Sequence, residues 1–245
     1  EKLAIVGESG SGKSTVGRSL LKLHPGSTQI TAKALQFGDV DLLSASEKAM
    51  QKIRGQRISM IMQDPKYSLN PVVKVGEQIA EAYLAHHKAS RSEARERVML
   101  MLEKVHIRDP KRVYNLYPHE VSGGMGQRIM IAMMVITNPE VIIADEPTSA
   151  LDVSVRQQVL SVLEELVVEQ QMGLIFVSHD LNLVRNYCDR VLVMYAGRVV
   201  ESLAACDLQY AEHPYTRGLL AALPSMDNRR PRLPVLQRDP LWLTC

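Results

Sequence analysis

Cysteine is nearly absent. Three residues, Cys188, Cys206 and Cys245, stand far apart with no C-x-x-C pair among them. That excludes a disulfide framework and the common zinc spacings, and it fits a reducing compartment. No apolar stretch approaches the roughly 18 residues that mark a membrane span. The longest, IMIAMMVI at 129–136, is short and flanked by polar residues. A secretory leader pattern is missing too. Charge of one sign is equally scarce: 29 basic residues against 27 acidic ones leave a formal net charge of +2, with the signs mixed along the chain. Such a balance supplies no electrostatic argument for nucleic acid or for an anionic membrane surface. If the protein works at a membrane, it does so by binding one.

What is present is a chain of 245 residues, 46% hydrophobic and 23% charged, the composition of an ordinary soluble protein. That length suits one large domain, or one domain plus a small appendage. The sequence opens inside a strand pattern, LAIV at 3–6, and a domain rarely begins on its central strand; an N-terminal piece is expected to be missing. A helix is expected over 13–23 and a strand over 57–63, RISMIMQ. A helix-rich stretch follows from 75 to about 105. Strands are expected over 139–145 (PEVIIAD) and 173–179 (GLIFVSH), separated by a helix over 153–170. RVLVMYAGRVVE at 190–201 reads as strand, glycine turn and strand. Alternating strands and helices imply an α/β fold with a mostly parallel sheet covered on both faces. Residues 75–137 read as a helical subdomain inserted into a domain covering 1–224, and the proline- and charge-rich stretch 225–245 as an extended tail.

GESGSGKS at 7–14 matches G-x-x-x-x-G-K-[ST] in full, after an apolar strand and before a helix. Gly7, Gly10 and Gly12 let the backbone approach phosphate oxygens and take positive φ. Successive N–H groups through Glu8, Ser9, Gly10 and Ser11 then form an anion nest at a helix start. Lys13 can reach β- and γ-phosphates, the Ser14 hydroxyl can ligate Mg²⁺, and Thr15 can hydrogen-bond an α-phosphate. The run VIIAD delivers Asp145 to a strand's carboxyl edge, where it suits Mg²⁺, and the following Glu146 can act as general base on water. His179 ends another apolar run at the edge where such sheets place ligands, a position for touching a γ-phosphate. Gln63, closing RISMIMQ, can offer its amide to Mg²⁺ or water. A second helix start, VSGGMGQR at 121–128, puts Ser122, Gly123 and Gly124 ahead of a long apolar run. It too is built to meet phosphate.

Taken in order, these segments resemble the ATP-binding subunit of ABC transporters. GESGSGKST is similar to Walker A and VIIADEP to Walker B, while MQDP carries the Q-loop glutamine, Gln63. VSGGMGQR resembles the signature LSGGQ, SALD at 149–152 the D-loop with Asp152, and VSHD the switch histidine. IMQDPKYSLNP, YPHEVSGGM and HPYTRGLLAALP (213–224) are similar to the oligopeptide, dipeptide and nickel import branch. The last also reads as a plain helix start with Pro214 in its first turn and His213 near the cap. Three features depart from the pattern. The adenine-stacking aromatic of the family lies upstream of Walker A, so that base contact is expected to be missing or to lie outside this sequence. Gly126 stands where the branch usually carries a basic residue, and glycine in a helical turn costs up to ~1 kcal/mol relative to alanine. One terminal cysteine, Cys245, cannot make the cysteine-rich cluster of some members, so no iron–sulfur group is expected.

The resemblance implies a P-loop ATPase using ATP and Mg²⁺, paired head to tail with a second ATPase subunit, identical or a sister. Each ATP would lie between Walker A of one subunit and Ser122, Gly123 and Gly124 of the other, with Asp152 crossing between the sites. It also implies permease subunits in the membrane, an external solute-binding protein acting indirectly, a place on the cytoplasmic face of the bacterial inner membrane, and no nucleic acid. Non-transport relatives remain alternatives. Those of DNA repair and chromosomes insert long coiled coils, and no sustained heptads lie between Lys13 and Ser122; an accessory ATPase of phosphonate metabolism is harder to separate. A P-loop kinase or GTPase needs neither SGG nor SALD, and no N-K-x-D motif is present.

Overall fold

The computed structural model describes residues 1–63, 68–149, 151–223 and 242. In chain order its elements are β1 (Lys2–Val6), α1 (Lys13–Leu20), β2 (Gln36–Phe37), β3 (Val40–Asp41), α2 (Glu47–Ile53), β4 (Ile58–Ile61), α3 (Val75–Leu84), α4 (Arg91–Lys104) and α5 (Pro110–Tyr114). They continue with α6 (Gly123–Val135), β5 (Val141–Asp145), α7 (Val153–Glu169), β6 (Gly173–Ser178), α8 (Leu181–Tyr187), β7 (Arg190–Tyr195), β8 (Arg198–Ala204) and α9 (Pro214–Ala221). Two compact units contain them: 1–17 with 175–245, and 18–174.

In the first unit β1 lies between β6 and β7. It runs parallel to β7, with Ile5 opposite Leu192 and Val6 opposite Val193. Ile5, Val177 and Met194 form a buried cluster, as runs of β-branched residues covered on both faces should. β7 returns as antiparallel β8 through Ala196 and Gly197, whose φ values of 46° and 83° give the mirror-image turn that suits strand twist. α8 packs on β1. His213 caps α9, its Nδ1 accepting the Tyr215 N–H at 3.2 Å, with Pro214 in the first turn as expected.

The second unit pairs β4 parallel to β5, Ile58 opposite Val141 and Ile61 opposite Ala144. Against β4 packs α6, whose Ile129, Met130, Ile131 and Ala132 are fully buried. The longest apolar run is therefore a core helix, which explains why polar residues bracket it. α3, α4 and α5 pack together, and α6 packs on α3, α4 and α7.

One expected boundary needed adjustment, and two details were not foreseen. α1 stops at Leu20 rather than at 23, because Lys22 takes φ 51° and the Leu23 N–H closes back onto Arg18 O at 2.9 Å. That is a left-handed helix terminus. The stretch 75–105 is two helices, since Ser90 and Glu93 form a reciprocal capping box that starts α4 afresh. The short β2–β3 ribbon was not anticipated. Residues 64–67, 150 and most of 224–245 lie outside the described residues, and with them parts of MQDP and SALD and nearly all of the expected tail.

Candidate functional site

β1 ends at Val6 and hands the chain to a loop that folds back on itself. Gly7 takes φ 149°, Gly10 82° and Gly12 100°. A Cβ at Gly7 would stand 2.2 Å from Met194 O, so the strand–loop junction requires glycine. At Gly10 nothing lies within 4 Å of where a Cβ would be. Inside the loop, Ser11 N–H donates to Glu8 O at 3.2 Å, and Gly197 N–H donates to Ser11 O at 3.0 Å. Lys13, 5% exposed, turns its ammonium inward to donate to Gly7 O at 3.0 Å and Glu8 O at 2.9 Å. Ser14 and Thr15 continue in the first turn of α1, which contains no acidic residue. Glycine-permitted curvature, a buried cation and a helix N-terminus free of carboxylates fit a nucleotide's phosphates. His179 follows β6 and is exposed, while Asp180 beside it caps α8 by accepting from Leu183 N–H at 3.1 Å. Sequence reading missed that capping role, although Asp before an apolar helical run is a start signal.

The second unit gathers the other predicted groups. In the β4–β5 register Ile61 faces Ala144, so Gln63 and Glu146, each two residues further on, also come opposite one another. Their side chains meet: Gln63 Nε2 donates to Glu146 Oε2 at 3.2 Å. Asp145 is 3% exposed. Glu146 has φ 45°, a left-handed backbone that costs a non-glycine residue about 1–2 kcal/mol and recurs at functional sites. Two parallel strand ends thus present an amide and a carboxylate to the same space, the arrangement needed to hold and deprotonate water.

The SGG segment is plainer. Ser122 caps α6, its Oγ accepting from Met125 N–H at 3.4 Å. A Cβ at Gly124 would stand 2.3 Å from Val155 Cγ1, so this glycine lets α6 approach α7. The helix forms over Gly123–Val135 with Gly126 buried within it. Asp152 caps α7: its Oδ1 accepts from Val155 N–H at 3.0 Å and from Ser154 Oγ at 2.8 Å. Those hydrogen bonds, the backbone one foremost, hold the Asp152 carboxyl below its ordinary pKa. Nearby, a cavity of about 810 Å³ is lined by Arg108, Arg112, Met125 and Arg128 among others, and by none of the predicted site residues.

A family profile described as "ABC transporter" matches residues 1–149, more than half of the sequence. The chain belongs to the ABC transporter family. Among relatives of this family member, the oligopeptide transport ATP-binding protein OppD of Bacillus subtilis is 46% identical over 230 residues, covering 93% of this chain and 64% of its own length. A probable peptide ABC transporter ATP-binding protein of Sinorhizobium fredii is 49% identical over 234 residues, covering 95% and 69%. This chain therefore spans about two thirds of the relatives it matches. An ATP-binding cassette solved as a dimer in a post-hydrolysis state with ADP and Pi superposes with a TM-score of 0.73 at 27% identity, covering 84% of this chain and 85% of that one. The α/β ABC ATPase fold and the peptide-import likeness expected from the motifs are both borne out.

Proposed function

We propose that this ABC family chain binds and hydrolyses ATP to drive a membrane importer of peptides or related small solutes. The observation that carries the reading is the Gln63–Glu146 hydrogen bond at 3.2 Å, between two side chains that the strand register brings together. Gly7, Glu8, Ser9, Gly10, Ser11 and Gly12 cradle the phosphates with backbone N–H groups, and Thr15 adds a hydroxyl. The Lys13 ammonium moves from the Gly7 and Glu8 carbonyls onto phosphate oxygens. Ser14, Asp145 and Gln63 would hold Mg²⁺, which would supply positive charge to offset that of the phosphates. Gln63 orients the attacking water, Glu146 takes its proton, and His179 contacts the γ-phosphate.

A second ATPase subunit supplies Ser122, Gly123 and Gly124 to the face of the nucleotide that Walker A leaves open. A relative solved as a dimer with ADP and Pi supports that pairing. Asp152 lies at the boundary between the two sites. Loss of the γ-phosphate removes contacts that favour the closed pair, so opening is a population shift that a permease can convert into movement. No helix among the described residues is long and apolar enough to cross a membrane. The chain's place is peripheral, on the cytoplasmic face of the bacterial inner membrane, joined to permease subunits and served by an external solute-binding protein.

The test is Glu146→Gln. ATP binding persists within about threefold while turnover falls by about 10²-fold or more, a loss on the scale of a missing general base. Phosphate release at the wild-type rate from the purified variant complex would overturn the role given to Glu146.

A further inference from the structure

The segment HPYTRGLL has no part in the chemistry above, yet it reaches the phosphate loop. Tyr215, on the first turn of α9, is 0% exposed, and its hydroxyl accepts the Glu8 N–H at 2.9 Å. Glu8 is the residue whose carbonyl receives both the Lys13 ammonium at 2.9 Å and the Ser11 N–H at 3.2 Å. The Gly7–Glu8 peptide group is thus pinned from both sides, the tyrosine holding its N–H and Lys13 its Gly7 carbonyl at 3.0 Å, while the lysine and Ser11 hold the Glu8 carbonyl just after it. Behind the hydroxyl, the Tyr215 ring lies 4.6 Å from the Tyr195 ring and 5.7 Å from the indole of Trp242, the chain's single tryptophan. Tyr195 ends β7 two residues before Gly197, the second donor into the loop, whose N–H meets Ser11 O at 3.0 Å. His213 fixes the start of α9 by accepting the Tyr215 N–H.

We propose that Tyr215 is a positioning residue for the phosphate loop: its hydroxyl sets the Glu8 peptide, and with it the carbonyl that parks Lys13, and so preorganises the loop for nucleotide. The inference rests on the reading that Gly7–Thr15 holds ATP. A phenylalanine keeps the ring and its packing but leaves a shielded N–H without its acceptor, so the loop must be ordered at the expense of binding. The cluster behind it gives the loop an optical reporter, because nucleotide that draws Lys13 away from Glu8 shifts the environment of Tyr215 and of the indole beside it.

The experiment uses the full chain, with nucleotide affinity measured by titrating a fluorescent ATP analogue well below the melting temperature and intrinsic tryptophan emission followed in parallel. Tyr215→Phe weakens binding about fivefold, speeds amide hydrogen exchange at Glu8, and reduces the emission change that saturating ATP produces in the wild type. Thr216→Val, at the neighbouring fully buried position whose hydroxyl meets no partner among the described residues, binds within about twofold of wild type. Equal affinities for Tyr215→Phe and wild type overturn the proposal, as do equal losses in both variants, which mark general destabilisation. If Tyr215→Phe does not fold, a wild-type tryptophan emission that ATP leaves unchanged overturns it. Failure of the wild type to bind nucleotide would sink the ATPase reading itself, a different outcome from any of these.

Discussion

GESGSGKST and VSGGMGQR are both glycine-rich helix starts with a serine in place, yet they are built differently. The first is closed on itself. Its ammonium is buried, its carbonyls are occupied by Lys13 and Ser11, and Tyr215 and Gly197 tie it down from outside. The second is an ordinary cap: Ser122 and Gly123 are exposed, and the one tight contact, at Gly124, serves the approach of α6 to α7. A segment that folds its own cation and donors into a cup can hold a polyphosphate alone. A capped helix start presenting a hydroxyl and N–H groups to solvent completes a site only when another surface brings the rest. The physical difference between the two segments is the reason to expect one nucleotide site from two chains.

The glycines sharpen that contrast most strongly. Gly7→Ala sets a methyl against a backbone carbonyl at 2.2 Å with φ 149°, and neither can yield. It should cost about 3–5 kcal/mol, seen as a large drop in urea midpoint. Gly124→Ala meets a valine methyl at 2.3 Å instead and should cost about 1–3 kcal/mol, with Val155→Ala restoring much of it. Equal losses for the two substitutions, or no rescue by Val155→Ala, would remove the distinction between a self-contained loop and a packed helix start.

A smaller effect belongs to Asp152. Its carboxyl is held below the ordinary aspartate value by hydrogen bonds, first from Val155 N–H and then from Ser154. A depressed folded pKa means that the cap's contribution is fully present above the ordinary aspartate range and is lost as pH falls through the lower folded value. Asp152→Ala should lower the melting temperature by about 2–4 °C at neutral pH, with the gap closing at strongly acidic pH. Asp152→Asn, which still caps, should keep most of the stability and lose that acid dependence. A gap that persists unchanged under acid would contradict the charge assignment.

Much of this was legible before any coordinates. The match over Gly7–Ser14 predicted a strand, a loop of positive φ and a helix, because that spacing has few other backbone solutions. Asp145 and Glu146 were found because an apolar run has to end somewhere, and it ends on carboxylates. Their meeting with Gln63 was only half legible: each residue was placed at a strand end, but the register that sets them opposite depends on which strands pair, and no local pattern encodes that. Tyr215 escaped for the same reason, its partner Glu8 lying at the far end of the chain. Ser90 and Glu93 were a different kind of miss. The S-x-x-E capping box was in plain view, and mixed charge along 75–105 concealed it.

Under the proposed function the two helix starts serve different nucleotides, one held by this chain and one by its partner. Ser122→Arg tests it most directly, by nucleotide titration of the isolated, monomeric chain followed by turnover in the assembled complex. The expected result is a single-chain affinity within about twofold of wild type and loss of ATP hydrolysis on assembly, since the arginine would block only the partner's nucleotide. Abolished binding by the isolated variant, still folded by its melting curve, would contradict it.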